Sequence, residues 1–190
     1  MTAGAQAFAL PAVLLARGLA LRPETEADLD FLAQLYASTR QEELAPLPWS
    51  AEQKAAFLAQ QFEAQRRYYR ATFDDCDFDV IEHEGEPVGR LYLERRPSEL
   101  HLVDIALLPA WRGQGVGAAI LEALQDAGRA RSSSIRAFVE QFNPARRLYH
   151  RLGFTETANH GVYVEIEWSP EMASPPAAGR SPELEGSSGA

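Results

Sequence analysis

The sequence predicts one domain of the α/β class, of the α+β type, and three observations carry that prediction. At 190 residues the chain fits a single core with tails. Period-two and three-and-four apolar patterns follow one another in the order β-α-α-β-β-β-α-β-α-β, with one more strand possible near Thr155. A glycine-rich turn after residue 111 joins a strand directly to an amphipathic helix. The expected boundaries are a flexible leader over residues 1–17, the domain over 18–168, and a disordered tail over 169–190 that is rich in Pro, Ser, Gly and Ala.

Gly18 to Arg22 reads as a short strand. Leu29, Leu32, Ala33 and Tyr36 then recur at helical spacing, in a helix expected to end near Arg40. The segment Gln41 to Trp49 carries two prolines and breaks the pattern, and Ser50 is placed to cap a second helix with Leu58, Phe62, Gln65 and Tyr69 on one face. Phe78–Glu82 and Pro87–Glu94 form a hairpin around Glu84-Gly85-Glu86. A strand over Leu100–Leu108 leads into the glycine turn, and Val116, Ile120, Leu124 and Ala127 make the stripe of the next helix. Ile135 to Gln141 is a strand. Asn143 is placed to cap a short helix with Pro144 at its first position and Gly153 as its stop. Val162, Val164, Ile166 and Trp168 alternate with polar residues as in a half-buried strand, whose apolar pattern would allow sheet-mediated pairing into a homodimer.

Composition narrows the partners. A net charge of −9 excludes nucleic acid, whose binding rests on basic side chains, and suits a cationic or amine-bearing partner. No stretch is long and apolar enough for a membrane span, and no basic residue precedes the apolar run Phe8–Ala16 as a signal peptide requires, so a cytoplasmic location is expected. The single Cys76 lies among aspartates that would raise its thiol pKa, and the histidines show no metal-ligand spacing, so neither a thiol nucleophile nor a metal is expected.

Arg112-Gly113-Gln114-Gly115-Val116-Gly117-Ala118 sits where free backbone N–H groups and a helix N-terminus suit a diphosphate. Glycine there lets phosphate oxygens approach the backbone, and Arg112 can add positive charge. A turn that only tightens the crossover is the alternative. Gly113, Gly115 and Ala118 also fit a dinucleotide fingerprint, with Glu140 as a ribose ligand, but that fold opens with its glycine turn and too little chain follows this one. No Gly-Lys-Ser or Gly-Lys-Thr follows, which excludes a Walker loop.

The strand Val103–Pro109, the turn Arg112-x-x-Gly115-x-Gly117 and the segment Asn143–Phe154 together resemble the two cofactor-side motifs of GNAT-superfamily N-acetyltransferases, in the family's order. The resemblance spans about residues 18–168. It implies a central mixed, mostly antiparallel twisted sheet of six to seven strands with about four helices. It also implies acetyl-CoA as acyl donor and a primary amine of a small molecule or protein as acceptor. The strand holding Ile105, Ala106 and Leu107 would splay from its neighbour and pair with pantetheine, while Arg112, Gly113, Gln114, Gly115, Val116, Gly117 and Ala118 hold the diphosphate. Asn143 and Arg146 would add cofactor contacts, although many relatives carry their Asn where this chain has Phe142.

Tyr149 occupies the family's general-acid position, and a phenol with a pKa of about 10 can protonate a thiolate of similar basicity. His101 stands where relatives often carry a catalytic Glu; Asp104, Glu94 and Glu140 are alternative bases. Glu43 and Trp49, with Glu94 and Glu140 beside the cleft, are candidates for holding the acceptor's ammonium. A longer acyl group would need room beside Leu102, Phe138 and Val139, and a non-catalytic acyl-CoA-binding or sensor domain of the same fold is the rival function.

Overall fold

A computed structural model of the chain describes residues 7–171. Their elements are α1 (Ala12–Leu15), β1 (Leu19–Pro23), α2 (Leu29–Leu44), α3 (Ala51–Thr72), β2 (Cys76–His83), β3 (Glu86–Arg95), β4 (Glu99–Leu107), α4 (Val116–Arg131), β5 (Ser134–Glu140), α5 (Arg146–Arg151), β6 (Thr155–Asn159) and β7 (Tyr163–Trp168). The seven strands form one mixed sheet in the order β1-β2-β3-β4-β5-β7-β6, antiparallel except for the parallel pair β4–β5. That is the α+β architecture expected. Among the described residues no helix is long and apolar enough to cross a membrane.

The two faces of the sheet differ. Ile81, Leu91, Leu102, Ile135, Val164 and Trp168 point to one side and bury against Val116, Ile120, Leu121 and Leu124 of α4. Apolar alternation on the strands other than the polar β6 makes this the main core. The opposite face carries Arg90, Tyr92, Glu94, His101, Asp104 and Arg136, and α2 and α3 lie over part of it. The two helices join through a small apolar cluster of Leu32, Tyr36 and Phe62, but α3 meets the sheet by polar side chains: Arg90 donates to Gln65, Tyr69 donates to Asp104, and Arg70 pairs with Glu24. Ser50 caps α3 as expected, in a reciprocal box with Gln53.

Several expectations are corrected. Helix α2 runs on to Leu44, which is buried, rather than ending near Arg40. Residues 7–17 do not behave as a leader: Leu14 of α1, and Leu10 in the extended segment just ahead of that helix, are buried in the main core. The final strand is no free edge, because β7 lies between β5 and β6 and both its edges are used, which removes the basis for pairing copies through it. Helix α5 starts at Arg146, since Asn143 Oδ1 accepts the Ala145 N–H and closes a local turn ahead of the helix. Residues 1–6 of the expected leader and 172–190 of the expected tail lie outside the described residues.

One strand position makes stability depend on pH. Burial, and then the like charge of Asp77, raises the Asp79 carboxyl to about 6 from an ordinary 3.8. A carboxyl with a raised native pKa adds stability that is complete below the unfolded value and is lost as pH rises through the native one. Asp79→Asn is therefore expected to stabilise the protein at pH 7, with a gain that shrinks to nothing as pH falls through 6 towards 4. Urea unfolding of both proteins across that range checks it, and a gain independent of pH would exclude Asp79 as the titrating group.

Candidate active site

The site begins where two strands part. β4 and β5 are in register from Glu99↔Ser134 to Leu102↔Ala137, and pairing stops there. From Val103 to Leu107 the β5-facing edge of β4 has no strand partner, while Asp104 to Leu107 stay paired with β3 on the other side. The splay expected at Ile105, Ala106 and Leu107 is present, and it leaves backbone groups free to bind an extended ligand as a strand would.

A bulge at the same point re-aims the side chains. Tyr92 opposes Asp104 and Leu93 opposes Leu102, so Val103 is an extra residue. Leu102 and Ile105 consequently both pack on the core, whereas His101 and Asp104 both face α3. Asp104 Oδ2 accepts from Arg90 Nη2 at 2.6 Å and from the Tyr69 hydroxyl at 3.2 Å. Its Oδ1 has no such partner among the described residues, which leaves one carboxylate oxygen available at the mouth of the splay.

His101 lies one step deeper, in the paired part of β4. It is buried against Phe73 and Phe138, with Nδ1 at 3.1 Å from both Glu94 Oε2 and Arg96 Nη2. Burial lowers its pKa, partly offset by the Glu94 hydrogen bond, so the ring is neutral near pH 7. Glu94 is thus engaged by His101 and Arg96.

Tyr149, on α5, is buried with its ring edge-on to Phe154 at 5.3 Å. Its hydroxyl has no protein partner among the described residues. Burial, and then the charge of Asp104, push the phenol well above its usual range, so it keeps its proton at neutral pH.

Below the splay lies the glycine turn. Gly113 and Gly115 have φ of +70° and +80°, the left-handed region that favours glycine, and nothing lies within 4 Å of where a Cβ would stand on either. Ala119 N–H makes the first helical bond to Gly115, so the N–H groups of residues 113–118 are without backbone partners at the positive end of a four-turn helix. This cradle fits a diphosphate. Leu148 of α5 closes against Gly117, which sets Tyr149 near the same end of the sheet.

Several side chains expected to bind ligand are otherwise employed. Arg112 was expected to complement phosphate; its Nε donates to the Leu107 carbonyl and its Nη2 to Ser38 Oγ, tying the turn to β4 and α2. Arg146 binds the Gln141 carbonyl and Glu156, and Asn143 is held in its own turn. Glu140 and Glu43 both pair with Arg40, and Trp49 packs edge-to-face with Phe57, ring centres 5.3 Å apart. Long arginines reach the nearest carbonyl or carboxylate, a choice that spacing in the sequence does not reveal. Sequence reasoning missed Arg90 and Tyr69. The signal for Arg90 was available, because a lone cation inside the apolar strand Val88–Leu93 is almost never buried unless paired.

Comparison with known proteins agrees with this geometry. The PaiA N-acetyltransferase of Thermoplasma acidophilum, solved in complex with coenzyme A, matches with a TM-score of 0.60 at 16% identity, covering 80% of this chain and 98% of that one. An acetyltransferase from Thermus thermophilus matches with a TM-score of 0.57 at 18% identity, over 80% and 96% of the two chains. The ribosomal-protein-S18-alanine N-acetyltransferase of Escherichia coli matches with a TM-score of 0.51 at 19% identity, over 78% and 90%. At those identities the likeness shows the fold. No protein of curated function matches the sequence. The family model described as acetyltransferase (GNAT) family matches residues 36–154, a span that holds the splayed strands, the glycine turn and Tyr149, and the chain belongs to that family.

Proposed function

We propose that the protein is an acetyl-CoA-dependent N-acetyltransferase that passes the acetyl group directly to a primary amine while donor and acceptor are both bound. The observation that carries this reading is the alignment of a splayed strand pair with a glycine turn whose successive N–H groups are free. The coenzyme thioester supplies an activated acetyl group. The free edge of Val103–Leu107 holds the pantetheine arm, and residues 113–118 hold the diphosphate. Tyr149, protonated at neutral pH, donates a proton to the departing thiolate. Asp104 presents Oδ1 to the acceptor amine and takes the proton its nitrogen loses as the C–N bond forms and the C–S bond breaks, while Arg90 and Tyr69 fix the other carboxylate oxygen. This geometry favours Asp104 over His101 on the acceptor side, because His101 is sealed in the paired part of β4 by Phe73, Glu94 and Arg96. Acceptors of both kinds remain in this proposal: the Escherichia coli neighbour's name gives a protein alanine as its target.

Thermal unfolding with acetyl-CoA, CoA and NAD in parallel tests the donor. A ligand at about 100 times its Kd adds about 2.7 kcal/mol, which for a domain this size raises Tm by about 5–10 °C. A rise with acetyl-CoA and CoA is expected. A rise with NAD alone, or none, would overturn the reading. Thiol release on a panel of amines then separates enzyme from sensor, since binding without turnover of any amine would favour a non-catalytic acyl-CoA-binding domain.

A further inference from the structure

Arg17 stands outside the segment matched by the family model, yet it touches the centre of the glycine turn. Its Nη1 donates to the Gln114 carbonyl at 3.1 Å and its Nη2 reaches Gln114 Oε1 at 3.5 Å. The backbone that presents it is fixed. Leu10 and Leu14 are buried in the main core, and the N–H groups of Arg17 and Gly18 close the end of α1 by bonding to Leu14 and Leu15.

The consequence follows from peptide geometry. In a trans peptide the C=O and N–H point in opposite directions, and no cis peptide is present among the described residues. With the Gln114 carbonyl turned towards Arg17, the N–H of Gly115 in the same trans peptide points the other way. Left-handed backbone on both sides of Gln114 makes this peptide unit easy to rotate. Rotation would aim a carbonyl oxygen at an anion and remove one of the N–H donors. Arg112 does not prevent this, because its guanidinium is committed to Leu107 and Ser38.

We propose that Arg17 is a positioning residue for the coenzyme's diphosphate: it grips the Gln114 carbonyl, holds the Gly115 N–H in its anion-binding direction, and so makes residues 7–17 a working part of the cofactor site. This inference rests on the coenzyme reading above. It adds a residue that acts through the backbone rather than by touching phosphate, and it gives a role to the packing of Leu10 and Leu14 in the core beside α4.

The test is calorimetric titration of the full chain with CoA, comparing wild type, Arg17→Gln and Arg17→Lys. The bond is exposed to solvent, so the net worth of an ordinary hydrogen bond sets the scale, and Arg17→Gln is expected to raise the Kd about 5- to 10-fold. Arg17→Lys should recover part of that, because an ammonium can reach one carbonyl but cannot also fork to the side chain. The unfolding midpoint without ligand should stay within about 1 °C, as Arg17 is exposed and contributes no packing. In nitrogen-proton spectra the Gly115 amide should move on adding CoA to wild type and move less in Arg17→Gln. An Arg17→Gln protein that binds CoA as tightly as wild type, or whose Gly115 amide responds identically, overturns the inference while leaving the coenzyme reading intact. A wild type that gives no binding heat with CoA overturns both.

Discussion

Replacing Arg90 with leucine is expected to destabilise the protein by about 3–5 kcal/mol, the cost of leaving a largely buried charge without its partner. The Arg90 side chain is 4% exposed and that of Asp104 is 16% exposed, with 2.6 Å between Nη2 and Oδ2. Gln65 accepts a second bond from the same nitrogen, and the guanidinium lies 5.1 Å from the centre of the Tyr92 ring. Without Arg90 the carboxylate keeps only the Tyr69 hydroxyl, a neutral donor at 3.2 Å. The double variant Arg90→Leu/Asp104→Leu separates a stranded charge from lost packing. Apolar replacements of both partners are often neutral or stabilising, so the double variant should regain most of the loss. Urea unfolding at pH 7 reads both. A single-variant loss below about 1 kcal/mol, or a double variant no better than the single, would mean that the pair does not anchor Asp104.

That pair also marks where the sequence stops being legible. Strand and helix order could be read because apolar residues recur at two and at three-to-four along nearly every element, and that period is set by which face is buried. The glycine turn was legible for a related reason: Gly113 and Gly115 occupy a left-handed backbone that other residues rarely adopt. The bulge at Val103 left no such trace. One extra residue on β4 moves Asp104 to the face of His101, and nothing in the residues themselves distinguishes Val103 from its neighbours. Long polar side chains were the least legible. Arg112, Arg146 and Asn143 stand at the expected positions and turn to local carbonyl, carboxylate or amide partners, whereas Arg90 and Tyr69, from a strand and a helix, meet at Asp104 beside the splay. Leu10 and Leu14 show the opposite case. Both fall in the apolar run Phe8–Ala16, which resembles a leader as closely as it resembles a segment packed into a core.

Tyr149→Phe is expected to lower kcat by about 100-fold or more while leaving the Kd for acetyl-CoA within about twofold, the signature of a proton donor that acts only as the thiolate departs. The phenylalanine keeps the ring that packs on Phe154, and the lost hydroxyl has no protein hydrogen bond to surrender, so stability should change by less than about 1 kcal/mol. The pH profile makes the test sharper. Burial and the nearby Asp104 charge hold the phenol above its usual range, so wild type should keep its proton and show no loss of donor function between pH 6 and 9. The deficit of the variant should then be constant across that window. A deficit that varied with pH would point to another titrating group as the donor, and an unchanged kcat would leave Tyr149 as a core residue packed on Phe154. A fall in kcat matched by an equal loss of acetyl-CoA affinity would place the hydroxyl in coenzyme binding instead. Only the first pattern assigns the proton, because it alone requires an interaction absent from the bound ground state.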